Sequence, residues 1–118
     1  MLPGPDLDAL IARKVLGVVV IHDTETGSYQ LRDTANRKFI DLPPYSTDIT
    51  TAHGLVSVFK ARGCAFSISA EDDMTWSVTI THKQVPGINF GSKGVSLPHA
   101  ICQAILQFNN LFKLSKTN

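Results

Sequence analysis

Leu42-Pro-Pro-Tyr-Ser-Thr-Asp48, running on into one amphipathic stretch that stops at Gly63, is the segment around which the fold is read. Pro43 and Pro44 keep the entering backbone extended, because the residue before a proline is pushed out of the helical region. Ser46 and Asp48 offer capping oxygens and negative charge to the unpaired N–H groups of a first helical turn. Ile49, Ala52, Val56 and Phe59 follow at steps of three or four, which gathers them on one face. Lys60 and Arg62 suit the negative end of the helix dipole, and Gly63 suits the left-handed residue that ends a helix. The spacing predicts a central helix over residues 47–62.

On its C-terminal side, Phe66, Ile68 and Ala70 alternate with Ser67 and Ser69, and Trp76, Val78, Ile80 and His82 alternate with Ser77, Thr79 and Thr81. Period-two alternation on either side of Glu71-Asp72-Asp73 predicts an antiparallel hairpin over 65–82, with one buried and one Ser/Thr face. Residues 83–97 hold Pro86, Gly87, Gly91 and Gly94 and read as a loop, with a short edge segment near Val95. Pro98 opens a last helix over 98–112, whose apolar face is Ile101, Ala104, Ile105, Phe108, Leu111 and Phe112. The tail Leu114–Asn118 reads as frayed.

On the N-terminal side, Asp6 as N-cap, Leu7, Leu10, Ile11 and Val15 on one face, and Gly17 as stop predict a helix over 5–16. The β-branched run Val18–Ile21, the Asp23–Gly27 turn and the alternation at Tyr29 and Leu31 predict a strand pair over 18–32. Asp33–Lys38 reads as a polar turn, and Phe39, Ile40 and Leu42 as a return to the core with a short third strand. The order is α-β-β-α-β-β-α. Amphipathic helices and short strands bury their faces best as an α+β, single-domain sandwich: a mainly antiparallel sheet of about four strands covered by helices.

A chain of 118 residues with 43% apolar residues is the size of one domain, 1–118, able to build a core without metals or disulfides. No apolar run approaches the roughly 20 residues that span a bilayer, so no membrane partner is expected. Met-Leu-Pro-Gly-Pro-Asp lacks the basic and apolar regions of a signal peptide, which leaves the cytoplasm as the expected location. Cys64 and Cys102 make no disulfide framework and read as small buried hydrophobes. The net charge is +1, unevenly spread: residues 1–73 hold all ten acids, whereas residues 74–118 hold only Lys83, Lys93, Lys113 and Lys116. No helix carries an Arg/Lys face, so double-stranded nucleic acid is not an expected partner.

His22, His53, His82 and His99 share no metal-ligand spacing, although His22 and His82 both end strands and could meet; no metal or cofactor is expected. Asp72 and Asp73 fit turn chemistry better than a catalytic pair. With no nucleophile, base or metal set, no catalytic residue is nominated and an enzyme is not expected. Gly87-Ile-Asn-Phe-Gly-Ser-Lys-Gly94 looks like a phosphate loop but lacks the Gly-Lys-Ser/Thr of a Walker A sequence. An anion-binding loop formed by Gly91, Ser92 and Lys93 stays as a reading beside a plain flexible loop. Tyr45 could stack on a base or plug the core, and Ser46 stands beside it at the helix entrance.

Leu7-Asp-Ala-Leu-Ile-Ala-Arg-Lys-Val-Leu-Gly17, Leu42-Pro-Pro-Tyr-Ser-Thr-Asp48, Trp76-Ser-Val78 and Leu97-Pro-His-Ala-Ile-Cys102, in that order, resemble the motifs of the phage ABA sandwich domain family. The resemblance spans about residues 6–108; it implies an α/β sandwich carried by a phage or prophage and no assigned activity. Two expectations follow from it. The first is sequestration of a nucleotide-like small molecule by Tyr45, Ser46, Gly91, Ser92 and Lys93. The second is a protein-interaction module directed at a host or phage protein. Homo-oligomerisation through Phe108, Leu111 and Phe112 stays open beside their use in the monomer's own core.

Overall fold

The computed structural model describes residues 1–33 and 38–116. Its elements run α1 (Pro5–Leu10), a π-helical continuation (Ile11–Val15), β1 (Val20–His22), β2 (Tyr29–Asp33), β3 (Lys38–Asp41), α2 (Ile49–Ala61), β4 (Cys64–Ala70), β5 (Trp76–His82), β6 (Phe90–Gly94) and α3 (Leu97–Lys116). The strands form two antiparallel three-stranded sheets, β1-β2-β3 and β4-β5-β6, in place of the single sheet of about four strands expected from the sequence. Residues 34–37, the middle of the expected Asp33–Lys38 turn, lie outside the described residues, as do 117–118 of the expected frayed tail. α3 continues as helix to Lys116, past its expected end at 112.

α2 confirms most of what the central segment promised. Asp48 is the N-cap and accepts the Thr51 N–H at 2.9 Å. Gly63, at φ 97°, takes the left-handed turn into β4. Ser46 is no cap: it is fully buried, its Oγ accepts the Gly4 N–H at 2.8 Å, and its own N–H donates to Asp8 Oδ1 at 2.7 Å. Those bonds stitch the N-terminal segment to the entrance of α2. The inward face is Ala52, Leu55, Val56 and Phe59, while Ile49 stays exposed in the first turn. In the first helix Gly4, not Asp6, is the N-cap residue; Asp6 instead accepts the Tyr29 hydroxyl at 2.7 Å.

The expected hairpin forms, with Cys64 opposite His82 at one end and Ala70 opposite Trp76 at the other. Val78, Ile80 and His82 are buried, as a central strand requires, but most of β4 is exposed because it is an edge. The predicted 83–97 loop contains a full strand: β6 pairs along β5, from Phe90 opposite Ile80 to Gly94 opposite Trp76. Gly94 answers a packing need. A Cβ on Gly94 would stand 2.7 Å from Ala100 Cα and 2.9 Å from the His99 carbonyl carbon, so α3 can lie on β6 only over a bare backbone.

The core is continuous from Leu7, Ile11, Ala12 and Val15 through Leu31 and Tyr45 to α2, α3 and the inner face of the second sheet. Cys64 and Cys102 are both buried and free, as small hydrophobes would be. β3 does not return the chain to the core, since Phe39 is 53% and Ile40 46% exposed. In α3, Ile101, Ala104, Ile105 and Phe108 are buried, Phe112 is half-buried and Leu111 stays outside. Among the described residues no helix is long and apolar enough to cross a membrane.

Candidate functional site

At the junction of α2, β4, β5 and α3 lies a cleft of about 360 Å³. Its apolar wall is Phe59, Phe108 and Phe112, with Cys64 beside them; Arg62, His82, Gln84 and Asn109 bring polar groups to it. The i, i+4 spacing of α3 places Phe108 and Phe112 one above the other, ring centroids 4.9 Å apart and nearly parallel. Phe108 also meets Phe59 and Phe90 edge-on, at 5.9 and 5.0 Å, so its orientation is fixed from two sides.

His82 closes the floor. Its Nδ1 accepts the Gln84 N–H at 3.0 Å, which puts the proton on Nε2, where it donates to the Arg62 carbonyl at 2.9 Å. Both ring nitrogens are thus spent on backbone groups, and the ring face is offered to Phe112 at 4.6 Å and Phe108 at 5.9 Å. The Arg62 guanidinium lies 5.2 Å from the centre of the Phe59 ring, a cation held against an aromatic face. The cleft can therefore offer stacking surface, amide hydrogen bonds and one guanidinium.

The residues nominated from the sequence are not brought together there. Tyr45 plugs the core, and burial followed by the nearby Asp8 pushes its phenol pKa up. Ser46 has no exposed surface. Gly91, Ser92 and Lys93 belong to β6, opposite Thr79, Val78 and Ser77, so they are strand residues rather than a free loop. Ser92 faces an open groove with Gln103 and Gln107 of α3, and Lys93 is exposed. His22 stacks on Tyr29 in the first sheet, centroids 4.5 Å apart, and makes no pair with His82. Among the described residues no group of three or more His, Cys, Asp or Glu could hold a metal.

The cleft escaped the sequence because its walls come from four elements. Its two traces in the chain are the Phe108/Phe112 pair and a histidine ending a strand directly opposite Cys64, the start of the partner strand. A second cavity of about 330 Å³ lies beneath the Leu42–Thr47 segment, between Tyr29, Asp41 and Asp8. Burial raises the Asp8 pKa against the opposing hydrogen bonds from Ser46. Its acidic lining makes this cavity a poor anion site.

The thiols give a direct check on this packing. Burial, then Asp8, pushes Cys102 up to about 12 from an ordinary value of 9.0, and burial also raises Cys64. Thiolate is the reactive form, so at neutral pH neither cysteine should react with iodoacetamide until denaturant is added. Above pH 9 the unfolded chain loses the Cys102 proton before the folded one does. Stability should therefore fall as pH rises from 9 towards 12, and Cys102→Ala should flatten that slope in pH-dependent denaturation. Rapid native labelling would contradict the burial.

The model of the phage ABA sandwich domain matches residues 9–106 of the chain. No curated protein matches it. The fold is shared with a phage protein from Bacillus cereus whose crystal structure is known at 2.0 Å, with 24% identity, 91% of each chain covered and a TM-score of 0.70.

Proposed function

This chain belongs to the phage ABA sandwich domain family, and from that premise we propose that it is a non-enzymatic accessory protein that takes a flat, anionic, nucleotide-like molecule into the Phe108 cleft. One observation carries this reading: parallel phenyl rings stand beside a guanidinium already held on an aromatic face. Phe108 is buried and backs the pair, so the half-buried Phe112 at the rim is the ring that would take the face of a base, without demanding its sequence identity, and a guanidinium suits phosphate oxygens in bidentate geometry. Gln84 and Asn109 supply amide groups for the edge of the base. Acting stoichiometrically in the host cytoplasm, such a protein would withdraw a nucleotide signal from host defence. The role first given to Tyr45 and Lys93 passes to Phe112 and Arg62.

A thermal-shift panel of linear and cyclic nucleotides tests this. Ligand at about 100 times its dissociation constant adds about 2.7 kcal/mol to the folded state, several degrees for a chain of this size. Arg62→Ala should abolish the shift, and Lys93→Ala should leave it. A flat panel would sink the nucleotide reading.

The second reading, a protein-interaction module, draws on Val19, Ile21 and Phe39, which leave an apolar outer surface exposed on the first sheet. It predicts that one host protein co-purifies with the native chain and is lost with Phe39→Glu.

A further inference from the structure

β4 is an edge strand of a kind that proteins usually blunt. Such edges carry a lysine, a proline or a bulge that discourages pairing with another chain. β4 reads Cys-Ala-Phe-Ser-Ile-Ser-Ala, seven residues with no charge and no proline, and most of it is exposed. Its register fixes which backbone groups are free. Lys83 N–H donates to Gly63 O and Glu71 N–H to Thr75 O, so the odd-numbered residues 63–71 turn their polar groups towards β5. Phe66, Ile68 and Ala70 turn theirs outward, where no strand lies among the described residues.

We propose that two copies of this chain pair through β4, antiparallel about a two-fold axis at Ser67, to build one six-stranded sheet.

Backbone parity allows few self-pairings, and this one uses the whole strand. Cys64 then faces Ala70 of the second copy, and Phe66 faces Ile68 of the second copy, an aromatic against a β-branched side chain. Ser67 faces itself. Ile68 is 45% exposed although it points to the same side as the buried Val78 opposite it, and the Phe66 of the second copy would cover it.

Charge favours the same register. β4 is preceded by a basic end: Arg62, and Lys83, whose side chain lies across Gly63. It is followed by the acidic turn Glu71-Asp72-Asp73. Antiparallel self-pairing at Ser67 brings Lys83, lying over Gly63 at one end of β4, to the acidic turn Glu71-Asp72-Asp73 of the second copy, at both ends of the interface. A parallel pairing would set like charges together. The interface is isologous, so it closes at two copies and leaves β6 as the outer edge of each half.

The test combines mass in solution with a register-specific cross-link. Sedimentation of the native chain over a concentration series should give a species of twice 12.8 kDa. Ile68→Lys and Asp72→Lys should each weaken association by at least about tenfold, with unchanged circular dichroism. Ser67→Cys should form a covalent dimer with oxidised glutathione, because residues opposed in a non-hydrogen-bonded pair have Cβ atoms about 4.5–5.5 Å apart. Ser69→Cys, on the same face but opposite Ala65 of the second copy, should not. A monomer throughout the series, or equal cross-linking at positions 67 and 69, would overturn the proposal. Neither result bears on nucleotide binding, which is read separately from the thermal shift.

Discussion

Phe108→Ala is expected to destabilise the fold by about 3–5 kcal/mol, the range for removing a buried phenylalanine. The residue is only 4% exposed and stands where α2, β5, β6 and α3 converge. Phe59, His82, Phe90 and Phe112 all pack against its ring, so truncation removes contacts on several sides at once and leaves a cavity beside the buried Phe59 and Phe90. Domains of this size are stable by about 5–15 kcal/mol in total, so the variant should unfold at far lower denaturant while keeping a similar slope. Phe112→Ala should cost less, since Phe112 is half-buried at the rim. A loss below about 1 kcal/mol on Phe108→Ala would mean that the aromatic cluster is peripheral to the fold.

Gly94→Ala should be the most damaging single-methyl change. The new Cβ would press on the backbone of Ala100 and on the carbonyl carbon of His99, not on the movable end of a side chain. Relief requires the first turn of α3 to lift from β6, and overpacking of this kind costs about 1–3 kcal/mol or more. Gly91→Ala is the control. Its Cβ would find Thr79 Oγ1 at 3.4 Å and the Val78 carbonyl at 3.6 Å, so it should be nearly neutral. Equal melting points for the two variants would remove the steric account of Gly94.

Gly94 also marks where the sequence stops being legible. A glycine needed for close approach of helix and strand has the same letter as one needed for a flexible loop, so the sequence alone reads as loop across β6. Periodicity does better where one face is buried and one is wet: the β4–β5 hairpin and α2 follow from it directly. It failed at β3, because Phe39 and Ile40 are apolar yet exposed, and pattern reading assumes that apolar residues go inward. Ser46 looked like a cap because it precedes a helix. Its real partners, Gly4 and Asp8, are some forty residues away in the chain, beyond any local signal. The cleft was illegible for the same reason: the ring of Phe108 and the carbonyl of Arg62 share His82 only after the second sheet has formed.

The π-helical segment Ile11–Val15 bears on how the chain can change length. Its wider turn, seen in the Leu16 N–H donating to the Ile11 carbonyl at 3.1 Å, holds one residue more than an α-turn would. Losing one residue there returns the ladder to ordinary α-geometry and leaves the entry to β1 nearly where it was. The same loss inside β4 would send every later side chain of the strand to the opposite face. Single-residue insertions and deletions among related chains should therefore collect in the first helix and be absent from the hairpin.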